Sequence, residues 1–260
     1  MTVLEAHNLT VSYDKQPVLW DIDFEVPQGK LVGIVGPNGS GKTTLLKAAM
    51  GLLPADSGYV KIFGKPIDEV RERMSYVPQR QSVDWDFPAT VMDVCKMGRY
   101  RQGKLFGRLS KLDKEIAADA LDRVGMTAYK NRQIGELSGG QQQRVFIARS
   151  LAQQADLYLM DEPFAGIDAA SESAIIKLLE DIRSEGKTVV LVHHDLHTAI
   201  EFFDWIVLLN TRLVASGPKT EVLNEDNLRI AYGGKLTLLN RVAELVRKEG
   251  FPIREKKKVD

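Results

Sequence analysis

The chain has 260 residues, 44% of them hydrophobic and 27% charged, which is the composition of an ordinary soluble globular protein. Lysine plus arginine and aspartate plus glutamate each number 35, so the overall charge gives no reason to expect a nucleic-acid partner. The single cysteine, Cys95, excludes an internal disulfide framework, and no apolar run approaches the roughly 18 residues that a membrane-spanning helix needs.

The first 30 residues predict antiparallel strands with turns at 14–17 and 27–29. Apolar residues alternate there with mostly polar ones, so one face is expected in the core and the other in water. The predicted core-facing residues are Val18, Trp20, Ile22, Phe24 and Val26. The N-terminus has neither the basic nor the apolar region of a signal peptide, which predicts a cytoplasmic protein.

A phosphate-binding loop is predicted between the apolar run 31–35 and a helix-forming segment at 44–50. Residues 36–43 fit the pattern G-x-x-x-x-G-K-[ST], in which backbone N–H groups and the start of a helix surround a polyphosphate. Lys42 is expected on the β- and γ-phosphates, and the Thr43 hydroxyl on Mg²⁺. The predicted contacts of ATP in this region are Gly36, Pro37, Asn38, Gly39, Ser40, Gly41, Lys42, Thr43 and Thr44.

Further along the chain, residues 59–64 and 75–79 read as short strands, and residues 85–151 as helical segments that include an apolar stripe at 114–124. Apolar strands are predicted at 157–160, 188–192 and 205–209, with an amphipathic helix at 171–184. Alternating strands and helices predict an α/β fold with a parallel sheet covered on both faces.

Two carboxylates follow the predicted strand at 157–160, at the end where ligands bind in open α/β sheets. Asp161 is the expected Mg²⁺ partner, and Glu162 is expected to orient or deprotonate the attacking water. A strand that ends on an acid is common, so this prediction depends on the phosphate loop that precedes it.

A second anion site is predicted at Leu137-Ser138-Gly139-Gly140-Gln141, where Ser138 suits a helix cap and two glycines permit close backbone approach. A simple kinase or GTPase needs no such site. Together with the phosphate loop and Asp161-Glu162, this segment resembles the ATP-binding subunit of ABC transporters. The resemblance covers about residues 3–235, and these motifs in this order are highly specific.

The resemblance implies a P-loop NTPase (RecA-like) core with an N-terminal antiparallel β subdomain and an inserted helical subdomain. The ATPase domain is expected at 1–235, with the helical subdomain at about 86–155 and a charged helical tail at 236–260.

The resemblance also implies roles for single residues. Tyr13 is similar to the aromatic residue that stacks on adenine, and Gln79 to the glutamine that senses Mg²⁺ and the γ-phosphate. Asp168 is similar to the aspartate that contacts the opposite subunit, and His194 to the histidine that contacts the γ-phosphate. Three histidines within five residues also leave open a metal site, which the motif makes the weaker interpretation. The remaining nucleotide contacts implied by the resemblance are Ser138, Gly139, Gly140 and Gln141.

The family works as a head-to-tail dimer, so the resemblance implies two ATP molecules, each between Lys42 of one copy and Ser138 of the other. It implies a separate membrane permease, an extracytoplasmic solute-binding protein, and attachment to the cytoplasmic face of the membrane. Trp85 and Phe87 lie where the family docks its permease, although packing in the helical part explains them equally well. The amino-acid sequence around them resembles that of the ATPases of manganese, zinc and iron importers.

Three alternatives remain. The first is import of another small solute by the same machinery. The second is a soluble ABC ATPase of DNA repair or of translation. The DNA-repair type has a long coiled coil and the translation type has a second cassette, and neither feature is found in this sequence. The third is a P-loop kinase or GTPase, which leaves Ser138–Gln141 and His194 without a role.

Overall fold

The computed structural model describes residues 1–100 and 109–233. Its strands are β1 (Thr2–Tyr13), β2 (Gln16–Pro27), β3 (Leu31–Val35), β4 (Ser57–Ile62), β5 (Met74–Val77), β6 (Leu157–Asp161), β7 (Thr188–His193), β8 (Trp205–Asn210) and β9 (Arg212–Pro218). Its helices are α1 (Lys42–Ala49), α2 (Ile67–Val70), α3 (Val91–Met97), α4 (Lys111–Arg123), α5 (Gly139–Ala152), α6 (Ala169–Ser184), α7 (Leu196–Phe202), α8 (Lys219–Val222) and α9 (Glu225–Tyr232). The α/β fold predicted from the sequence is confirmed.

A six-stranded sheet in the order β5-β6-β7-β3-β8-β9 forms the centre of the fold. The first five strands in this order are parallel, and β9 runs antiparallel to β8. Every residue of β3, β6 and β7 is buried, as expected for parallel strands covered on both faces. In the register, Val35 pairs with His193 and Asp161 with Val192, so the three strands end at one edge of the sheet.

A second sheet, in the order β2-β1-β4, is antiparallel and confirms the N-terminal strand prediction. Its predicted burial pattern is wrong at one point: Leu19 is fully buried, whereas Trp20 is 50% exposed. The pairing of β1 with β2 is irregular between Leu9 and Val11, and Asp21 has a φ of 53°. Such a bulge adds one residue to the strand and exchanges the two faces of the sheet beyond it. Trp20 instead lies under the guanidinium of Arg212 on the surface, 4.6 Å from ring centre to Cζ.

Helices α3, α4 and α5 lie in the chain between β5 and β6, in the region predicted to be helical. Each begins at a capping side chain, namely Thr90, Ser110 and Ser138, which accepts a bond from a backbone N–H of the first turn. They pack on one another and on the adjoining face of the six-stranded sheet in one continuous apolar cluster. The boundaries of this helical subdomain remain a prediction, and the tail at 236–260 lies outside the described residues.

The edge strand β9 was not predicted. Its side chains are mostly half-buried and the segment starts directly after Thr211, whose φ of 60° closes a tight hairpin with β8. In residues 1–100 and 109–233, no helix has the length and apolar character that crossing a membrane requires.

Candidate nucleotide site

The phosphate loop, residues 36–43, connects β3 to α1 as predicted. Gly36 has no room for a side chain, because a Cβ there would lie 2.0 Å from the backbone oxygen of Leu209 in β8. Gly41 has a φ of 94° at the start of α1, a conformation that favours glycine. The loop is therefore held against the sheet on one side, while Asn38 and Gly39 are exposed at its tip.

Lys42 is folded back over the loop. Its Nζ donates to the backbone oxygens of Gly36 at 2.9 Å and Pro37 at 2.8 Å. Burial lowers the pKa of this ammonium, and the nearby carboxylates of Glu162 and Asp161 oppose that effect. The charged group is thus already in position over the loop and keeps one N–H for an additional acceptor.

The acidic end of β6 meets the start of α1. The Thr43 hydroxyl donates to Asp161 Oδ1 at 2.9 Å, and only 1% of Asp161 is exposed. Burial raises the pKa of Asp161, while the Thr43 hydrogen bond lowers it. A hydroxyl and a buried carboxylate whose charge is only partly compensated are the oxygen donors that Mg²⁺ prefers.

Glu162 and Gln79 are in direct contact, which the sequence did not indicate. The Gln79 side-chain N–H donates to Glu162 Oε2 at 2.9 Å, joining the segment after β5 to the end of β6. Glu162 has a φ of 48°, which is uncommon for a residue with a side chain and is typical of residues at functional sites. These two of the predicted catalytic side chains therefore lie together beside the loop.

A cleft of about 390 Å³ covers this loop. Its described lining consists of Val18, Asn38, Gly39, Ser40, Gly41, Lys42, Thr43, Thr44 and Glu162. The predicted adenine partner Tyr13 is not part of this lining. It is 45% exposed at the end of β1, where it pairs with Gln16 across the hairpin that carries Val18. Its stacking role stays a prediction.

The second anion motif forms the start of α5. Ser138 Oγ accepts from the N–H of Gln141 at 3.4 Å, and Gln141 Oε1 accepts from the N–H of Ser138 at 3.0 Å, which makes a capping box. The glycines also serve packing within the chain. A Cβ on Gly139 would lie 3.0 Å from the Arg80 guanidinium carbon, and one on Gly140 would lie 3.0 Å from Ser171 Oγ.

Asp168 and His194 occupy the ends of two further elements. Asp168 caps α6 by accepting from the N–H and the hydroxyl of Ser171, each at 2.9 Å, and these bonds lower its pKa. His194 is exposed directly after β7. Its neighbour His193 is buried edge-to-face against Phe164, and burial lowers the pKa of His193 to about 4.

The structure therefore brings one part of the predicted site into direct contact around the loop, and the other part is not among the described residues that line the cleft. Lys42, Thr43, Asp161, Glu162 and Gln79 cluster around the loop. The motif at 138–141, with Asp168 and His194, does not line the cleft. Within the described part of the chain, no group of three His, Cys, Asp or Glu side chains is arranged to hold a metal ion.

Two contacts near this site were missed by the sequence analysis. Arg80 Nε and Nη2 both donate to Gln142 Oε1, at 3.0 and 2.9 Å, and Gln142 is only 3% exposed. Arg80 follows Gln79 directly and Gln142 follows Gln141 directly. Nothing in the sequence pairs them, because 62 residues separate the two side chains.

A mostly parallel sheet with this loop between β3 and α1, and an acidic pair at the end of β6, defines a P-loop nucleoside triphosphatase. The family model described as ABC transporter matches residues 19–165. The chain belongs to this family, whose members bind and hydrolyse ATP.

Relatives match along nearly the whole chain. The manganese transport system ATP-binding protein MntB of Bacillus subtilis is 56% identical over 92% of this chain and 96% of its own length. The zinc transport system ATP-binding protein TroB of Treponema pallidum is 52% identical over 90% of this chain and 88% of its own length.

Two solved structures share the fold. One is an ABC transporter described as of metal-chelate type, in an inward-facing conformation. It is 28% identical, covers 89% of this chain and 88% of its own, and has a TM-score of 0.79. The other is a dimeric ATP-binding cassette in a post-hydrolysis state with ADP and phosphate. It is 27% identical, covers 83% of this chain and 98% of its own, and has a TM-score of 0.71.

Proposed function

We propose that this chain is the ATP-hydrolysing subunit of an importer for a divalent metal ion, namely manganese, zinc or iron. The observation that carries the proposal is the division of the site: Glu162 lines the cleft over the phosphate loop and contacts Gln79, whereas the motif at 138–141 is not part of the described lining of that cleft. Manganese and zinc appear in the names of two relatives at 56% and 52% identity, which supports a metal ion as cargo. Iron rests on the sequence resemblance alone.

ATP would bind along the loop, with its β- and γ-phosphates at the Lys42 ammonium and the loop N–H groups. Thr43 and Asp161 are the residues that would hold Mg²⁺, since their oxygens already lie 2.9 Å apart in a part-buried position. When bound, Mg²⁺ supplies charge neutralisation at the phosphate oxygens. Tyr13, on the adjoining hairpin, would stack on the adenine.

Hydrolysis would use Glu162 to orient a water and accept its proton. In this structure Glu162 Oε2 accepts a bond from Gln79, so one of its oxygens is engaged and the carboxylate is held in a fixed position. Displacing Gln79 from this oxygen would free an acceptor for the water. His194, exposed at the end of β7, would contact the γ-phosphate.

Two copies would complete each site. Ser138 and Gly140 would reach the ATP that lies on the loop of the other copy, and Asp168 would contact that copy. Identical half-sites on one surface make an isologous two-fold interface. The related cassette that was solved as a dimer with ADP and phosphate supports this arrangement. ATP would favour the closed dimer through contacts that both copies make to it, and hydrolysis would release it.

The cargo would cross the membrane through a separate permease, to which this chain would attach at the cytoplasmic face. Trp85 and Phe87 are candidates for that contact. Phe87 is 53% exposed, whereas Trp85 packs edge-to-face on Phe146 with ring centres 4.9 Å apart, so Phe87 is the better candidate. A solute-binding protein outside the membrane would deliver the ion to the permease.

The test is uptake of radioactive Mn²⁺ and Zn²⁺ by cells whose own copy of the chain is replaced by Glu162→Gln. We expect metal uptake to be lost, and the purified variant to bind ATP, hydrolyse almost none and form a dimer with it. Glu225→Gln, an exposed glutamate in the first turn of α9, is the control and should behave like the unchanged chain. Unaffected uptake of both metals, together with a loss of hydrolysis, would contradict manganese and zinc as the cargo. Normal hydrolysis by Glu162→Gln would contradict the mechanism.

A further inference from the structure

Arg80 links the catalytic side chains to the helix that carries the motif at 138–141. We infer that Arg80 is a positioning residue, which acts through Gln79 to place that amide against Glu162 according to the orientation of α5. This inference rests on the proposed ATPase function and adds a connection between its two half-sites within one chain.

The first part of the connection is Gln79 itself. Its side-chain Nε2 donates to Glu162 Oε2 at 2.9 Å, and the next residue in the chain is Arg80. Any displacement of the Arg80 backbone therefore moves the Gln79 backbone, and with it the amide that contacts the catalytic carboxylate.

The second part is the attachment of Arg80 to α5. The guanidinium donates twice to Gln142 Oε1, and the Gln142 Nε2 donates in turn to the Ile134 backbone oxygen at 3.2 Å. The same guanidinium covers Gly139, where a Cβ would lie 3.0 Å from its central carbon. Arg80 thus contacts the first turn of α5 on both sides of Gly140 and Gln141.

The third part is the rigidity of the turn that follows Gln79. The Ser82 hydroxyl and N–H both donate to the Gln79 backbone oxygen, at 2.7 and 3.0 Å. The Trp85 indole donates to the Arg80 backbone oxygen at 2.8 Å. A Cβ on Gly135 would lie 2.8 Å from the Trp85 backbone oxygen, so the turn also packs on the segment that leads to Ser138. Residues 79–85 should therefore move with α5 as one body.

The geometry of its hydrogen bonds explains why this position carries an arginine. Its Nε and Nη2 groups both donate to one part-buried amide oxygen, a planar two-bond geometry that a lysine ammonium cannot reproduce. In the described residues Arg80 has no carboxylate partner, and its guanidinium also lies over the Trp85 ring, 5.8 Å from Cζ to the ring centre.

The test compares Arg80→Ala with the unchanged chain in ATP affinity and in kcat for hydrolysis. The expected result is an unchanged ATP affinity, because the loop is untouched, and a kcat that falls about tenfold. In a Gln79→Ala background the same substitution should have no further effect on kcat, because the effect of Arg80 passes through Gln79. The pair Arg80→Lys with Gln142→Glu should recover most of the activity, since an ammonium can donate to the carboxylate that replaces the amide.

Arg229→Ala, which removes an exposed ion pair with Asp226 on α9, is the matched control. Three results would overturn the inference: a kcat within twofold of the unchanged chain, an effect of Arg80→Ala that adds fully to that of Gln79→Ala, or a parallel loss of ATP affinity and thermal stability. Hydrolysis by the unchanged chain is measured in the same assay. Its absence would count against the proposed function, whereas normal hydrolysis with an unresponsive Arg80 variant would count against this inference alone.

Discussion

Replacing Thr43 with valine removes a hydroxyl that donates to Asp161 and keeps the volume of the side chain. The donor lies 2.9 Å from Oδ1 of a carboxylate that is 1% exposed, so water cannot easily take its place. A hydrogen bond to a charged group contributes about 1.5–3 kcal/mol, and we expect the free energy of unfolding without nucleotide to fall by about that amount.

For a chain of this size, about 1 kcal/mol corresponds to roughly 2–4 °C in Tm, so a decrease of roughly 3–12 °C is expected. Thermal unfolding followed by calorimetry or circular dichroism measures it. Thr44→Val is the matched control, because Thr44 is the next residue of the same helix, is more buried than Thr43, and makes no side-chain hydrogen bond within the described residues. Equal Tm values for the two variants would refute the reasoning that the Thr43 bond stabilises the buried carboxylate.

The effect of Thr43→Val should also depend on pH. Burial raises the pKa of Asp161 and the Thr43 bond lowers it, so the substitution raises the pKa of the folded state further and leaves that of the unfolded chain unchanged. The destabilisation should therefore have its full size at pH values at which Asp161 is ionised in both folded proteins. It should shrink as the pH falls through the folded-state pKa values of the two variants, which lie above the ordinary value of 3.8, and be absent at that value because Asp161 is then protonated in both folded forms. A destabilisation that stays constant down to this pH would contradict an interaction with the ionised carboxylate.

Two further predictions concern the loop. Gly36→Ala places a Cβ 2.0 Å from the Leu209 backbone oxygen, so it should lower the unfolding free energy by about 1–3 kcal/mol or more and weaken ATP binding. In Gly39→Ala the added Cβ would have no atom within 4 Å, so this variant should lower the unfolding free energy less than Gly36→Ala does, despite the φ of 81° at Gly39. The opposite ranking in thermal unfolding would contradict the packing argument. Lys42→Ala should abolish ATP binding, measured by titration with a fluorescent nucleotide analogue, and an unchanged affinity would remove the basis for assigning the phosphate loop.

The sequence was sufficient for the phosphate loop and the strand that ends at Asp161, because both follow from short local patterns. It predicted Thr43 and Asp161 as Mg²⁺ partners, and the structure places their side chains in contact across 118 residues of chain. Parallel strands end at the same edge of the sheet, so this contact follows from the fold class.

Other features could not be read from local patterns. The exposure of Trp20 depends on a bulge in the pairing of β1 with β2, and alternation along one strand does not reveal its partner's register. The contact between Gln79 and Glu162 depends on how two loops meet in space. The role of Gly140 at an anion stays a prediction, and the sequence did not indicate that Gly140 also allows α5 to pack on Ser171 within the chain. The sequence carries no signal for such tertiary contacts.

The central claim is that each ATP site is built from two copies of the chain, and mixing two inactive variants tests it most directly. Lys42→Ala damages the loop, and Ser138→Arg blocks the start of α5, so each variant alone should hydrolyse little ATP. In a head-to-tail dimer of one of each, the intact Lys42 of one copy meets the intact Ser138 of the other.

Random pairing of equal amounts makes half of the dimers mixed, each with one complete site of two, so the mixture should recover about a quarter of the unmodified rate. Recovery that rises with protein concentration and requires both variants would agree with the account. A mixture no more active than the mean of the two variants alone, with both shown to be folded, would contradict it.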